Sequence, residues 1–439
     1  VYLADSRSTG SRGTEAAVVP DTRPGRRPAA VPATVLALGA VSLITDVSSE
    51  MVTAVLPLYV VAGLGLSPLG FGLLDGINNG VGALVRLAGG HLADRGGRRH
   101  KVVAGLGYGL SALCKPLLLL AHTLPVLSAV LAVDRTGKGL RTAPRDAMIS
   151  LATEPAQRGR AFGVHRAMDT TGALLGPLLA FAVLRATVDG YDAVFAVSGC
   201  VAVLGVLVLV LFVPRRIDAP SDAVRRPPPP EPDRPPALRD AVGLLRRPEL
   251  RRLIVCAALL GLTTVSDSFL YLLLQREGNL PAHLFPLLPL GTAAFFLLLA
   301  VPLGALADRV GRRRLFLAGH GVLLLGYGLV LSPWHGVPAV FAVLVLHGTF
   351  YAATDGVLAA ATAAAVPARH QGAGQALVGT GQALARFACS LAFGAAWSLW
   401  GGRTALALTA AALAVSAVAA AFVLRGTDET PATTDEVPA

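Results

Sequence analysis

Windows of roughly twenty mostly apolar residues recur along almost the whole of this 439-residue chain, and nothing else in it constrains the fold as strongly. A hydrocarbon layer about 30 Å thick is crossed by roughly 20 residues of α-helix, whose backbone polar groups are all satisfied within the segment. Twelve such windows lie near 33–61, 69–92, 102–122, 124–146, 160–184, 190–213, 252–275, 284–306, 314–333, 337–361, 372–399 and 404–424. A transmembrane barrel would instead need strands of about ten residues with alternating polarity. Composition agrees: 54% of residues are hydrophobic and 15% charged, where soluble domains run near a quarter charged. An all-α integral membrane protein is the expected class.

The net charge of +11 raises the question of a nucleic-acid partner, and its placement answers it. Arg95, Arg98, Arg99 and Lys101 follow the second window, Arg158 and Arg160 the fourth, and Arg309, Arg312, Arg313 and Arg314 the eighth. The long connection 214–251 is rich in Arg, whereas 62–68 and 333–336 contain none. Basic residues clustered in alternate connections, with only single ones such as Arg276 and Arg403 in the others, mark the cytoplasmic side. The expectation is a multi-pass protein of a bacterial inner (plasma) membrane with both termini cytoplasmic, a lipid bilayer around it and no nucleic-acid partner. Cys114, Cys200, Cys256 and Cys389 fall inside apolar windows without metal-ligand spacing and read as small buried thiols. No cleaved leader is expected, because residues 1–30 hold no short apolar core.

Residues 90–101 read GHLADRGGRRHK and residues 304–314 read GALADRVGRRR, an offset of 214 residues, close to half the chain. VSSE at 47–50 resembles VSDS at 265–268, and PAQRG at 155–159 resembles PARHQG at 367–372. The organisation this implies is a polar tail at 1–31, a six-helix half at 32–213, a cytoplasmic linker at 214–251, a second six-helix half at 252–425 and a polar tail at 426–439. The linker's PPPP run favours extended backbone. Its end, with Leu238, Val242 and Leu245 at helical spacing among Arg residues, reads as an amphipathic helix on the inner leaflet. Parallel repeats of this kind place a substrate site near the bilayer midplane, between the halves.

The duplicated phrase resembles the cytoplasmic signature of the major facilitator superfamily. The resemblance covers about 390 residues and is reinforced by Arg135-x-x-x-Gly139, by RGRAFG at 158–163 and by GALLGP at 172–177. Longer stretches, TDVSSE (45–50), DRTGKGLRTAPRDA (134–147) and YAATDGV (351–357), look like a bacterial subgroup. It implies twelve helices in two pseudo-symmetric halves and transport by alternating access. Within the phrase, Gly90, Asp94, Arg95, Gly97, Arg98 and Arg99 match Gly304, Asp308, Arg309, Gly311, Arg312 and Arg313. The two glycines are expected to permit close helix approach. The two Asp carboxylates are expected to sit against the N-terminal ends of spans eleven and five, worth about 0.3–1 kcal/mol each, and so to hold the cytoplasmic side closed. Gly139, Gly172, Gly176 and Pro177 read as helix-packing residues.

A charge near the bilayer centre costs at least about 2.5–3.5 kcal/mol on insertion scales, so each one needs a partner or a water-lined cavity. Counting along the windows places Asp46, Asp134, Arg135 and Asp169 near mid-depth, with Glu50, Asp75 and Lys115 further out. Asp267, Asp355, Gln375, Gln382 and Arg386 are the main polar positions of the second half. Asp46 and Glu50 lie one turn apart on one face, and are read either as a protonation site or as static partners of Arg135 or Lys115. Arg135 reads as structural or coupling rather than substrate-contacting. Asp75, Asp134, Asp169 and Asp267 are further coupling candidates.

The expected function is secondary active transport of a small organic solute by a monomer, driven by protons, without cofactor or metal. GALLGP resembles the start of a phrase associated with proton-coupled exporters, although it continues LLAF where that phrase has a Gly pair; it favours efflux by antiport over proton-coupled uptake of a nutrient or siderophore-like compound. A membrane enzyme or sensor is the remote alternative, since no Gly-Lys-Ser/Thr phosphate loop, HExxH or paired-Cys site is present.

Overall fold

The computed structural model describes residues 31–95, 100–154, 157–187, 190–214, 243–334, 336–366 and 371–424. The two expected polar tails and most of the linker, with Leu238 and Val242, lie outside them.

In chain order the helices are α1 (Ala33–Leu58), α2 (Pro68–Arg95), α3 (His100–Leu117), α4 (Leu124–Leu151), α5 (Arg158–Ala186), α6 (Gly190–Phe212), α7 (Pro248–Gly261), α8 (Asp267–Glu277), α9 (Leu287–Val310), α10 (Arg312–Leu331), α11 (Val337–Ala365), α12 (Gln371–Trp400) and α13 (Gly402–Val423). Nine stretches of the described residues are long and apolar enough to cross a bilayer. They include α1 with the π-turn Tyr59–Gly63 that extends it, and α5, α6, α10 and α13. The other three crossings are α2, α4 and the pair α7–α8, in which charge or a break lowers the apolar signal. The seventh window, expected as one helix, is interrupted between Gly261 and Asp267. Ser266 there has extended backbone and Asp267 starts a new helix. The end of the linker is a short 3-10 turn at Leu244–Arg246 running into α7.

Packing makes the repeat visible. In the first half α1 packs on α5 and α6, α4 on α2 and α3, and α3 on α6. In the second half α7 packs on α12 and α13, α11 on α9 and α10, and α10 on α13, which is the same set of pairs shifted by six spans. The halves meet through α2 against α12 and α5 against α9. Interior prolines Pro57, Pro116, Pro144, Pro177 and Pro302 are tolerated because neighbouring helices re-satisfy the freed carbonyls.

Close approach explains several glycines. A Cβ at Gly172 would run into the Leu43 carbonyl, and one at Gly176 would lie 2.7 Å from Glu50 Cβ and 2.9 Å from the Val47 carbonyl, so α5 rides directly on the α1 backbone, with the buried Pro177 beside the contact. Gly139 of α4 abuts Val85 of α2. Among the described residues nothing lies within 4 Å of a Cβ placed on Gly304 in this conformation. Gly311 is required by conformation instead, with φ of +97° in the turn from α9 to α10. Cys114, Cys256 and Cys389 are buried, whereas Cys200, expected to be buried, is exposed on α6; that helix is apolar nearly all round and turns one side to lipid.

Candidate functional site: a polar ladder between α1 and α4

Helices α1 and α4 run antiparallel, and their polar residues meet rung by rung. Thr53 Oγ1 accepts from Arg135 Nη2 at 3.4 Å. Lys138 Nζ lies 3.8 Å from Glu50 and 4.0 Å from Asp46. Arg141 Nη2 donates to Asp46 Oδ1 at 3.2 Å, and Arg145 Nη1 to Ser42 Oγ at 3.3 Å. Ser42 to Thr53 spans about 16 Å of helix at ~1.5 Å per residue, in the middle of both helices. Spacings of three and four residues put Arg135, Lys138, Arg141 and Arg145 on one stripe of α4, just as Asp46 and Glu50 share one face of α1.

Neighbouring helices fasten the ends. Lys115 of α3 binds Asp134 at 3.0 Å, both buried. The Tyr108 ring lies under the Arg141 guanidinium, 4.5 Å from centroid to carbon, a cation–π contact. Ser42 also meets His165 Nε2 at 3.0 Å and Tyr108 at 3.4 Å. Asp169 of α5 lies 3.6 Å from Arg145 and 3.9 Å from Arg166, and its carboxyl is close enough to that of Asp46 for the two to repel when both are ionised. Asp46 is thus set among Arg141, Lys138 and Asp169.

Sequence reasoning named the carboxylates and assigned Asp46 and Glu50 a partner in Arg135 or Lys115. The geometry gives them Arg141 and Lys138. Arg135 stands one rung further along, and Lys115 belongs to Asp134. The missed residues Lys138, Arg141 and Arg145 are in the sequence as DRTGKGLRTAPRDA (134–147), whose basic residues already carry a helical period, and the fourth, His165, lies on α5. What the sequence lacks is the register of α4 against α1.

The second half builds a different site. Asp267, at the first turn of α8, accepts from Tyr351 OH at 2.6 Å and lies 3.1 Å from His347 Nε2. Gln375 donates to the Ala359 carbonyl at 2.6 Å. Asp75 of α2 is buried in the seam between the halves, where Ser390 Oγ of α12 donates to it at 2.6 Å. That seam is tight: Gly72 abuts the Ser390 carbonyl, Gly394 lies against Pro68, the Leu69 amide donates to Ser398 Oγ at 3.1 Å, and Phe71, Phe269, Phe393 and Trp397 form an edge-to-face cluster. The seam residues lie at the start of α2 and in the last turns of α12, toward the face opposite the start of α1 and the end of α13.

At the other face, one basic residue from the end of each copy of the duplicated phrase acts on a helix end. Lys101 donates to the Val210 carbonyl at 3.1 Å and to the Val213 carbonyl at the end of α6. Arg313 donates to the Ala421 carbonyl near the end of α13 at 2.8 Å. Cations there satisfy unpaired carbonyls and oppose the helix dipole. Gly90, Asp94 and Arg95 belong to the end of α2, but their side-chain environment, like that of Asp308, lies outside the described residues, as do Gly97, Arg98 and Arg99 altogether. Arg309 stands in the last turn of α9 and Arg312 is the first residue of α10, on either side of Gly311. Among the described residues no cluster of His, Cys, Asp and Glu fits a metal ion.

The comparisons with known proteins agree with this architecture. The family model described as Major Facilitator Superfamily matches residues 38–298 and 274–439. An uncharacterised MFS-type transporter of Methanocaldococcus jannaschii is 29% identical over 328 residues, 72% of this chain and 76% of that protein. An uncharacterised protein of Mycobacterium tuberculosis is 35% identical over 191 residues, 43% of this chain and 45% of its own length. Among solved structures, the nucleoside transporter NupG superposes with a TM-score of 0.75 at 12% identity, covering 89% of this chain and 99% of that one. A bacterial homologue of the human lysosomal transporter Spinster, captured inward-facing and unoccupied, superposes with a TM-score of 0.73 at 16% identity, covering 89% and 96%. With two six-helix repeats, a polar ladder at mid-membrane and this family match over nearly its whole described length, the chain belongs to the major facilitator superfamily.

Proposed function

We propose that this secondary transporter couples the movement of a small organic solute to protons, and that Asp46 and Glu50 are the carboxylates that bind the proton. One observation carries the reading: at mid-span, Asp46 lies against two α4 cations, Arg141 and the Lys138 that it shares with Glu50, and faces the Asp169 carboxyl. A carboxylate in that setting has two comparable states. Ionised, it holds Lys138 and Arg141; protonated, it releases them and removes the repulsion from Asp169. Because those cations sit on a different helix, protonation changes what binds α1 to α4, and this is how a proton can bias one conformation over another.

With both termini cytoplasmic, the sealed face around Asp75 and Ser390 is the extracytoplasmic one, and the conformation is inward-facing. We retain the Asp94 and Asp308 contacts as the lock of the opposite, outward-open state. The phrase expected to indicate efflux, GALLGP, has an immediate use in the packing of Gly172 and Gly176 on α1, so it no longer argues for antiport. Direction has to come from the chemistry of the ladder.

The test is transport into right-side-out and inside-out vesicles of a broad compound panel, with and without an imposed pH gradient. Gradient-dependent movement of a compound supports the reading. Movement indifferent to the gradient for every transported compound overturns it.

A further inference from the structure

The ladder holds more cation than its carboxylates can use. Asp134 is taken by Lys115 at 3.0 Å, Asp46 by Arg141 at 3.2 Å, Asp146 by Arg145 at 3.0 Å, and Asp169 lies between Arg145 and Arg166. Arg135 is left over. Its nearest carboxylate oxygen, Asp134 Oδ2, is 3.9 Å away, beyond hydrogen-bonding distance. Among the described residues its Nη2 makes only the long 3.4 Å contact with Thr53, and its buried Nε has no acceptor. One turn away, Lys138 has carboxylate oxygens at 3.8 and 4.0 Å, attracted but not hydrogen-bonded, and its side chain is 37% exposed although it stands in the middle of a transmembrane helix.

The unused Arg135 donor is costly, because a buried polar group without a partner loses its hydration and gains nothing, and Lys138 at the same depth offers a second cation without a hydrogen-bonded carboxylate. An anion removes that cost, whereas a neutral or cationic solute does not. The pair also suits an oxyanion in form. Arg presents a planar fork that takes two oxygens of a carboxylate or phosphate, and Lys adds a mobile point charge. At positions i and i+3 of one helix the two lie on the same face.

Resting on the proton-binding reading of Asp46 and Glu50, we infer that Arg135 and Lys138 bind the anionic head group, carboxylate or phosphate, of the transported solute, and that this anion and a proton are bound together. The coupling follows from Lys138. When it turns to the anion it leaves Glu50 and Asp46, and a carboxylate that loses its cation binds a proton more tightly. By reciprocity the proton strengthens anion binding by the same factor. Solute and proton then cross in the same direction, and for a monovalent anion the loaded step moves no net charge. Arg135, read from its motif as structural or coupling rather than substrate-contacting, becomes a substrate-binding residue.

Purified full-length protein in detergent tests this without knowledge of the natural solute. Thermal stabilisation is measured with benzoate, glutarate, glycerol phosphate, inorganic phosphate and sulfate, each set against benzamide, glutaramide or glycerol as the neutral control. At least one anion is expected to stabilise the protein where its neutral counterpart does not. Its affinity should fall about tenfold or more, roughly 1.4 kcal/mol, in Arg135→Gln and in Lys138→Gln, and recover in part in Arg135→Lys, which also reports that the site still folds. Benzoate and sulfate keep their charge between about pH 6 and pH 8, so tighter binding at the lower pH, lost in the Asp46→Asn, Glu50→Gln double variant, reads the coupled proton. No stabilisation by any anion, equal stabilisation by neutral controls, or unchanged affinity in both neutralised variants would overturn the anion site. Anion binding that needs Arg135 but ignores pH would keep the site and overturn co-transport, separating this failure from that of the transport assay above.

Discussion

Arg141 Nη2 lies 3.2 Å from Asp46 Oδ1, with the arginine side chain 4% exposed and the aspartate 11%. This contact holds α4 to α1 at mid-membrane through two charges that neither helix could bury alone. It makes Asp46 both a structural partner and a proton site, and the two roles separate by experiment. Asp46→Asn strands the Arg141 charge and is expected to destabilise the protein by about 3–5 kcal/mol. Adding Arg141→Gln should recover much of that loss, as read by thermal unfolding in detergent. A single variant as stable as the parent would show that the pair does not hold the helices.

The Lys115–Asp134 pair is the static counterpart. Both groups are buried and bonded at 3.0 Å, with Lys115 on α3, away from the Glu50 and Lys138 rung. Lys115→Met should destabilise by a similar amount, about 3–5 kcal/mol, and Lys115→Met with Asp134→Asn should be close to the parent. Transport by the double variant, per folded protein, should keep its response to a pH gradient. Loss of that response would move the proton site to Asp134.

Gly172 and Gly176 fix how closely α5 lies on α1. Replacing either by Ala forces a methyl group into the α1 backbone or the Glu50 side chain, with an expected cost of about 1–3 kcal/mol. Gly163, on the same helix with nothing near its would-be Cβ, is the control, and Gly163→Ala should be neutral or slightly stabilising. Equal effects at all three positions would mean that helix propensity, not contact, is being measured.

The positions of the spans were legible in the sequence, because a helix long and apolar enough to cross a bilayer has few alternatives. Observed helix ends lie within a few residues of the apolar windows for α1, α6, α10 and α13. The break in the seventh span was less legible. Its only signal was TTVSDS at 263–268, a polar run whose Ser-Asp pair suits a helix start but which is short enough to be read as part of a continuous helix. The carboxylates of the site were found because charge in an apolar window stands out one residue at a time. Their partners were not, because pairing depends on the offset between two antiparallel helices some ninety residues apart in the chain.

At the sealed face, Asp75 and Ser390 join the halves at 2.6 Å, with the Leu69 amide bonded to Ser398 nearby. A Leu69→Cys, Ser398→Cys pair should cross-link on oxidation and arrest transport, with reduction restoring it. Cross-linked protein that transports at the parent rate would show that this seam does not open in the cycle.

The most direct measurement of the coupling role is transport by proteoliposomes carrying Glu50→Gln, normalised to folded protein, with the pH gradient on and off. The solute is the anion that stabilises the parent protein. Glu50 shares Lys138 with Asp46 but makes no contact with Arg141 among the described residues, so its neutralisation tests coupling with the least disturbance to the fold. Adding Asp46→Asn, with Arg141→Gln to keep the helices neutral, completes the series. The account predicts that gradient-driven accumulation falls to the downhill level as these carboxylates are neutralised, while downhill exchange of the same anion persists. Full gradient-driven accumulation with both carboxylates neutral would contradict it.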